Sequence, residues 1–150
     1  MPRIQRSALV GHSAARMFSL VNDIPAYPRR FDWCESVQVL ESDDSHVVAR
    51  LDLGLGALRT WFTTNNTLQP PHRIDMELRD GPFRKLSGRW DFHALDESAC
   101  KVTLVLDFEP KSRLLGHAMT LGFQALADRM VDDFVSVANH DEAERGVDQD

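Results

Sequence analysis

The feature that most constrains the fold is a change in the spacing of apolar residues along the chain. Between Ser36 and Glu109 apolar and polar side chains alternate, whereas from about Ser112 to Ala138 apolar side chains recur every three or four residues. Alternation gives a β-strand one apolar face, and a period near 3.6 gives a helix an apolar stripe. The sequence therefore predicts half-buried strands followed by one long helix.

The segment before the alternating region predicts a strand and one or two short helices. Arg3–Val10 has the pattern of a strand, and Ser13 is a suitable N-cap for a helix over Ala14–Asn22. This helix should end near Asp23 because a proline follows at position 25. We expect a short helix or a loop over Ile24–Phe31.

Turn-forming residues divide the alternating region into about six strands, which with the first strand makes about seven. Short connections between strands favour an antiparallel meander. The turn sequences are Ser42-Asp43-Asp44-Ser45, Gly54-Leu55-Gly56, Gln69-Pro70-Pro71, Asp80-Gly81-Pro82 and Asp96-Glu97-Ser98. A one-sided sheet must bury its apolar face, and the long helix is large enough to cover it. We therefore predict an α+β helix-grip fold, with a curved antiparallel sheet around the C-terminal helix.

Length and charge predict one domain with an acidic tail. A chain of 150 residues fits a single domain, which we assign to residues 1–140. The last ten residues carry a balance of −4 out of the chain's −6, which leaves −2 on the rest. We expect residues 141–150 to be disordered because they have no apolar periodicity. The nearly neutral body has no basic stripe, so DNA is not an expected partner.

The residues that would carry catalysis are missing from the predicted interior. The six histidines are scattered, and the two cysteines, Cys34 and Cys100, form no metal-binding motif. The inward strand positions hold no carboxylate pair, histidine or lysine, and their polar residues are Thr60, Thr64 and Asn66. We therefore predict no catalytic residue, no metal site and no required cofactor. The interior can be a plain packed core or a ligand cavity, and Gly88 and Gly122 are the hints of room inside it.

Short motifs in a fixed order run through residues 3–138. They are Leu20-Val21-Asn22-Asp23-Ile24, Tyr27-Pro28, Trp33-Cys34, Val39-Leu40-Glu41, Phe62-Thr63-Thr64-Asn65, Pro70-Pro71, Asp80-Gly81-Pro82-Phe83, and the alternating apolar residues of 86–92 and 102–108. Together they resemble the coenzyme Q-binding and ribosome-association toxin family of the START-like superfamily. The family usually carries Leu-Pro before Trp-Cys, where this chain has Phe31-Asp32.

The resemblance implies a fold in which the long C-terminal helix closes a hydrophobic tunnel, as in polyketide cyclases and lipid-transfer domains. It also implies polyprenylquinone binding in the mitochondrial branch and a block of ribosomal subunit association in part of the bacterial branch. No apolar targeting segment precedes the first strand, so we expect a bacterial, cytoplasmic protein with at most peripheral contact with the inner membrane.

Our main hypothesis is a non-catalytic carrier of ubiquinone or a related polyprenyl lipid that supports respiration. Two expected ligand-binding residues, Tyr27 and Trp33, would lie near the entrance. The others would line the tunnel, and they are Phe62, Trp90, Phe92, Leu104, Leu106, Met119, Gly122, Phe123, Leu126 and Met130.

Two alternatives remain open. One is a ribosome-association toxin that binds the large ribosomal subunit and blocks subunit joining. It could use a local group of cations made of Arg29, Arg30, Arg59, Arg79, Arg84 and Lys85. The other is a polyketide cyclase-like enzyme, for which the interior offers no acid–base set.

Overall fold

The computed structural model describes the backbone of residues 3–111 and 116–148, and the side chains of residues 3–111 and 120–140. Within these residues, three helices and a short 3-10 turn accompany seven strands. In chain order the elements are β1 (Arg3–Val10), α1 (Ala14–Asn22), the 3-10 turn (Ile24–Ala26), α2 (Tyr27–Arg30), β2 (Cys34–Ser42), β3 (His46–Leu55), β4 (Leu58–Gln69), β5 (Arg73–Asp80), β6 (Phe83–Asp96), β7 (Ala99–Pro110) and α3 (Gly116–Asp148).

The strands form one antiparallel sheet in the order β1-β7-β6-β5-β4-β3-β2. The strands from β2 to β7 form a meander, and β1 pairs with β7, so the first strand lies beside the last. The sheet curves around α3, and inward residues of every strand pack in one core. The predicted fold class is confirmed.

The local signals before the meander also have their predicted effect. Helix α1 begins after Ser13, whose hydroxyl accepts a hydrogen bond from the Arg16 amide at 3.1 Å. This bond satisfies one of the amides that a helix leaves unpaired at its start. Pro25 and Pro28 stand at the beginnings of the 3-10 turn and of α2, where their missing N–H groups cost no hydrogen bond.

One end of the core is organised around Phe134 of α3. Its ring lies 5.5 Å from that of Tyr27, 4.8 Å from Phe31 and 6.3 Å from Trp33, all between ring centroids. It also meets Trp90 of β6 at 5.5 Å, nearly edge to face. Such contacts add to the free energy gained by burying the rings. Phe134 therefore joins α3, the segment after α1, and the sheet.

A second contact point, nearer the start of α3, is formed by Phe123. Its ring centroid lies 5.5 Å from that of Phe83 and 4.9 Å from that of Phe108. Phe83 in turn meets Phe62 at 6.3 Å. Because a helix rises 1.5 Å per residue, Phe123 and Phe134 stand about 16 Å apart along its axis. The helix is thus attached to the sheet by aromatic contacts at two separated points.

The bounds of α3 differ from the prediction. The helix runs from Gly116 to Asp148, ten residues past the predicted end at Ala138, so its backbone includes most of the tail expected to be disordered. Residues 112–115, where the helix was predicted to begin, lie outside the described residues. Extending an existing helix costs little because each added residue brings one hydrogen bond. The alanine and glutamates at 142–144 also favour helix.

Replacing Phe134 by alanine tests the aromatic anchor. The side chain is 1% exposed, so Phe134→Ala should lower the free energy of unfolding by about 3–5 kcal/mol in chemical denaturation. Leu121→Ala is a matched control on the same helix because Leu121 is 54% exposed and should change stability by less than about 0.5 kcal/mol. Equal effects of the two substitutions would contradict this account of how α3 is held.

Candidate functional site

A cavity lies between the inner face of the sheet and α3. Its walls are apolar except for a few side chains. The lining residues are Val21, Asn22, Ile24, Tyr27, Leu51, Leu53, Phe62, Thr64, Asn66, Ile74, Met76, Leu86, Gly88, Trp90, Leu104, Leu106, Phe123, Leu126 and Met130.

Three parts of the fold place these side chains around one space. The inward positions of β3 to β7 form the floor and walls, because every second residue of a strand points to the same face. The end of α1 and the residues after it close one side. Leu126 and Met130 of α3 form a roof with Phe123, on the stretch between the two aromatic anchors.

The cavity is small. The space open to the centres of water-sized spheres is about 60 Å³, and all the space between the lining atoms, including that open to solvent, is about 750 Å³. Pockets for small molecules commonly measure about 300–1,000 Å³. A ligand of that size therefore requires the lining side chains to move. Met76 and Met130 are suited to this because their unbranched side chains change conformation easily.

Eight of the twelve residues predicted to bind the ligand line this cavity. They are Tyr27, Phe62, Trp90, Leu104, Leu106, Phe123, Leu126 and Met130. Tyr27 is buried, and its hydroxyl donates to the backbone oxygen of Val21. Tyr27 thus lies in the cavity wall rather than at an exposed entrance.

Three predicted residues do not line the cavity. Trp33 stacks on Phe31 at 4.7 Å, and its Nε1 donates to Asp133 at 3.0 Å. Trp33 therefore belongs to the aromatic anchor around Phe134. Phe92 lies against Phe18 at 5.8 Å.

The third is Gly122, where an added Cβ would lie 3.2 Å from the Leu58 side chain. That glycine allows close packing of α3 on β4 and does not leave room for a ligand. The side chain of Met119, the remaining predicted residue, lies outside the described residues.

Gly88 is the glycine that does mark the cavity. A Cβ there would come within 2.6 Å of the Met76 Cε atom and 2.7 Å of the Leu106 Cδ2 atom. Both side chains line the cavity, so the missing side chain at Gly88 is what gives them their space.

Several lining residues were not predicted from the sequence, and they are of two kinds. Leu51, Leu53, Ile74, Met76 and Leu86 occupy inward strand positions, and the alternating pattern could have identified them. The others are Val21, Asn22 and Ile24, at the end of α1 and just after it. No periodicity indicates that this turn of the chain meets the sheet, so those three could be found only from the tertiary structure.

Apart from the Tyr27 hydroxyl and the Trp90 indole N–H, the polar side-chain atoms of the cavity fall into two groups. On β4 the Thr64 hydroxyl donates to Asn66 Oδ1 at 2.8 Å, and both residues are buried. At the end of α1, Asn22 Oδ1 is buried and has no hydrogen-bond partner among the described residues. The predicted inward placement of Thr64 and Asn66 is confirmed.

The titratable groups near the cavity are poorly suited to acid–base or nucleophilic chemistry. Burial raises the pKa of the Tyr27 phenol far above its ordinary value, so the group stays neutral. Burial, with a smaller effect of Asp52 and Glu35, raises the pKa of the Cys34 thiol to about 11. A thiol with that pKa is not a nucleophile at neutral pH. Among the described residues, no three His, Cys, Asp or Glu side chains gather in a metal-binding arrangement.

The cations that could form a surface patch are mostly neutralised. Four of the six cations named in the sequence analysis have a carboxylate partner within 4.0 Å. The pairs are Arg30–Asp23, Arg59–Glu35, Arg79–Glu41 and Arg84–Glu109. Arg29 and Lys85 are exposed, and neither has an ion-pair partner in the part of the chain that the structure describes. Among the described residues, no helix is both long enough and apolar enough to cross a membrane.

Comparison of the sequence with characterised proteins finds relatives of two kinds, which differ in identity and in coverage. The ribosome association toxin RatA of Vibrio cholerae is 44% identical over 134 residues, which cover 89% of this chain and 93% of that protein. The mitochondrial coenzyme Q-binding protein COQ10 of Drosophila melanogaster is 28% identical over 87% of this chain and 55% of its own length.

Comparison with solved structures agrees on the fold. A START superfamily protein from Mycobacterium smegmatis has a TM-score of 0.78 at 20% identity, covering 92% of this chain and 97% of its own. The Zhui aromatase/cyclase from Streptomyces has a TM-score of 0.79 at 18% identity, covering 92% and 93%. At these identities the likeness concerns the fold alone.

A sequence model of the family described as polyketide cyclase / dehydrase and lipid transport matches residues 10–135. That segment runs from the end of β1 into α3, so it contains the cavity and both aromatic anchors. With its START-like fold and its RatA relatives, this chain belongs to the polyketide cyclase / dehydrase and lipid transport family.

Proposed function

We propose that this protein is a ribosome association toxin of the RatA type, which binds the large ribosomal subunit and blocks its joining to the small one. The observation that carries the proposal is the 44% identity with RatA across nearly the whole length of both chains. The likeness to COQ10 is lower and covers about half of that protein. The carrier hypothesis favoured by the sequence alone therefore takes second place.

A binding role fits the interior better than an enzymatic one. A reaction in an enclosed pocket needs groups that give, take or stabilise charge. The lining offers one neutral phenol, one indole N–H, two amides and one hydroxyl, and it holds no carboxylate, histidine, lysine or arginine. The cyclase alternative has only a likeness in fold to support it.

Contact with a ribosome should depend on exposed cations that are free to meet phosphates. An arginine already paired with a carboxylate adds little net positive charge at the surface. Of the six candidate cations, Arg29 on α2 and Lys85 on β6 are exposed, and no ion pair joins either to another described residue. Arg29 is directly followed by a second arginine, Arg30, on the same short helix. We therefore propose that the surface around Arg29 meets ribosomal RNA. This would also mean that the protein works in the cytoplasm.

Reversing the charge at Arg29 tests this surface. Arg29→Glu should weaken co-sedimentation with purified large subunits and lower the salt dependence of the affinity, expressed as the log–log slope, by about one. The control Lys101→Glu makes the same change of charge at an exposed site on β7, and it should bind like the parent. Equal binding by Arg29→Glu and the parent at every salt concentration would contradict the assignment of this surface.

A second proposed activity is the binding of a hydrophobic molecule, ubiquinone or a related polyprenyl lipid, in the cavity. The apolar lining between the sheet and α3 supports it. Burial of apolar surface contributes about 25 cal/mol per Å², so even a partly enclosed ligand gains affinity. Since the cavity is small, we expect the ring and the first isoprene units to enter it while the rest of the tail stays outside, in contact with a membrane surface.

Tryptophan fluorescence can report this binding because the three tryptophans occupy different environments. Trp90 lines the cavity, Trp33 lies in the aromatic anchor, and Trp61 lies under the Arg50 guanidinium with 4.1 Å between them. A short-tail ubiquinone should change the emission of the parent, and Trp90→Phe should remove most of that change. The control Trp61→Phe should keep it.

Two outcomes would count against ligand binding at this place. An unchanged emission spectrum of the parent at saturating ubiquinone would argue that the cavity does not take the quinone. A response in Trp90→Phe as large as that of the parent would show that the quinone binds elsewhere. Both results leave the ribosome proposal intact because that proposal depends on the surface around Arg29.

A further inference from the structure

Among the described residues that line the cavity, one fully buried side-chain atom has no hydrogen-bond partner. Asn22 is the last residue of α1, and its Oδ1 atom is buried against the cavity without a hydrogen-bond partner among the described residues. A buried acceptor without a donor destabilises the fold, and such atoms are uncommon in native proteins. A ligand that supplies a donor at this point would remove the penalty.

The surroundings of Asn22 favour a donor over another acceptor. The last turn of a helix carries partial negative charge from its unpaired carbonyl groups. The neighbouring phenol of Tyr27 is occupied, because it donates to the backbone oxygen of Val21. Across the cavity, the Thr64 hydroxyl is likewise committed to Asn66. None of these described groups therefore supplies a proton to Asn22 Oδ1.

We propose that the ligand of this cavity carries a hydroxyl group on an apolar body, and that Asn22 binds this hydroxyl. The ligand class is thus a phenol, a hydroquinone or a long-chain alcohol. A hydroxyl is the group that fits best because it donates to the amide oxygen. It also accepts from the amide nitrogen when the side chain is turned by half a rotation about its last bond. A quinone carbonyl or an ether oxygen only accepts, so of the polyprenyl ligands proposed above, the reduced form of ubiquinone, a hydroquinone, should bind more tightly than the quinone.

This inference rests on the proposed binding of a hydrophobic molecule in the cavity. One pair of probes tests ligand binding and the hydroxyl contact separately. The probes are a 4-alkylphenol and its methyl ether, which have the same apolar body and differ in the donor. Isothermal titration calorimetry of the parent should show the phenol binding about tenfold more tightly. If neither probe binds, ligand binding itself fails. Equal affinities would overturn the role of the hydroxyl and leave ligand binding standing.

Variants locate the hydroxyl contact. Asn22→Leu keeps a similar volume and removes both amide atoms, so the tenfold preference for the phenol should fall to about one. Asn22→Asp keeps an acceptor at the same place and should preserve the preference. This second variant distinguishes loss of the contact from a general disturbance of α1.

Two further substitutions complete the test. Thr60 also has a buried oxygen with no partner among the described residues, but it does not line the cavity, so the control Thr60→Val should keep the preference. Thr64→Val breaks the bond to Asn66 and probes the other polar group of the wall. Preference for the phenol that survives in Asn22→Leu and disappears in Thr64→Val would overturn the assignment to Asn22.

Discussion

The attachment of α3 to the sheet by Phe123 and Phe134 is the interaction on which the rest of the structure depends. The sheet buries one face only, and most of that face would be open to water without the helix. The two rings stand about three turns apart and each meets other aromatic rings, at 4.8–6.3 Å for Phe134 and 4.9–5.5 Å for Phe123. The helix is therefore held by aromatic contacts at two points, and between them Leu126, Ala127 and Val131 are buried in the same core.

The cavity follows from that arrangement. Between the anchors the helix presents Leu126 and Met130, and the sheet opposite has Gly88 where a side chain would otherwise fill the space. The interior is almost entirely apolar, and its few polar groups are neutral. Such an interior can hold a hydrophobic molecule but has little with which to transform it. The departure at Phe31-Asp32 fits into the same framework, because the Phe31 ring stacks on Trp33 while the Asp32 carboxylate stays exposed, 3.7 Å from Arg129.

The sequence predicted what depends on periodicity and local signals. The bounds of β1 and α1, the N-cap at Ser13 and the antiparallel meander all follow from residue spacing and turn chemistry. Residues on inward strand positions, such as Trp90 and Leu104, could be assigned to the cavity for the same reason.

The misses concern relations between distant parts of the chain. Whether Gly122 leaves room or allows close contact depends on Leu58, which lies 64 positions earlier in the sequence. Asn22 reaches the cavity only because the turn after α1 folds against α3 and the sheet, as the contacts of Tyr27 with Trp33 and Phe134 show. The extension of α3 past Ala138 reflects helix elongation, which an apolar pattern does not report.

The most direct measurement of the central claim is the joining of ribosomal subunits in the presence of the purified protein. Isolated small and large subunits would be mixed under conditions in which they associate, with and without the protein, and separated on a sucrose gradient. If the protein blocks subunit joining, the peak of joined ribosomes should fall as protein is added, and the protein should migrate with the large subunit. An unchanged peak, with the protein remaining at the top of the gradient, would contradict it.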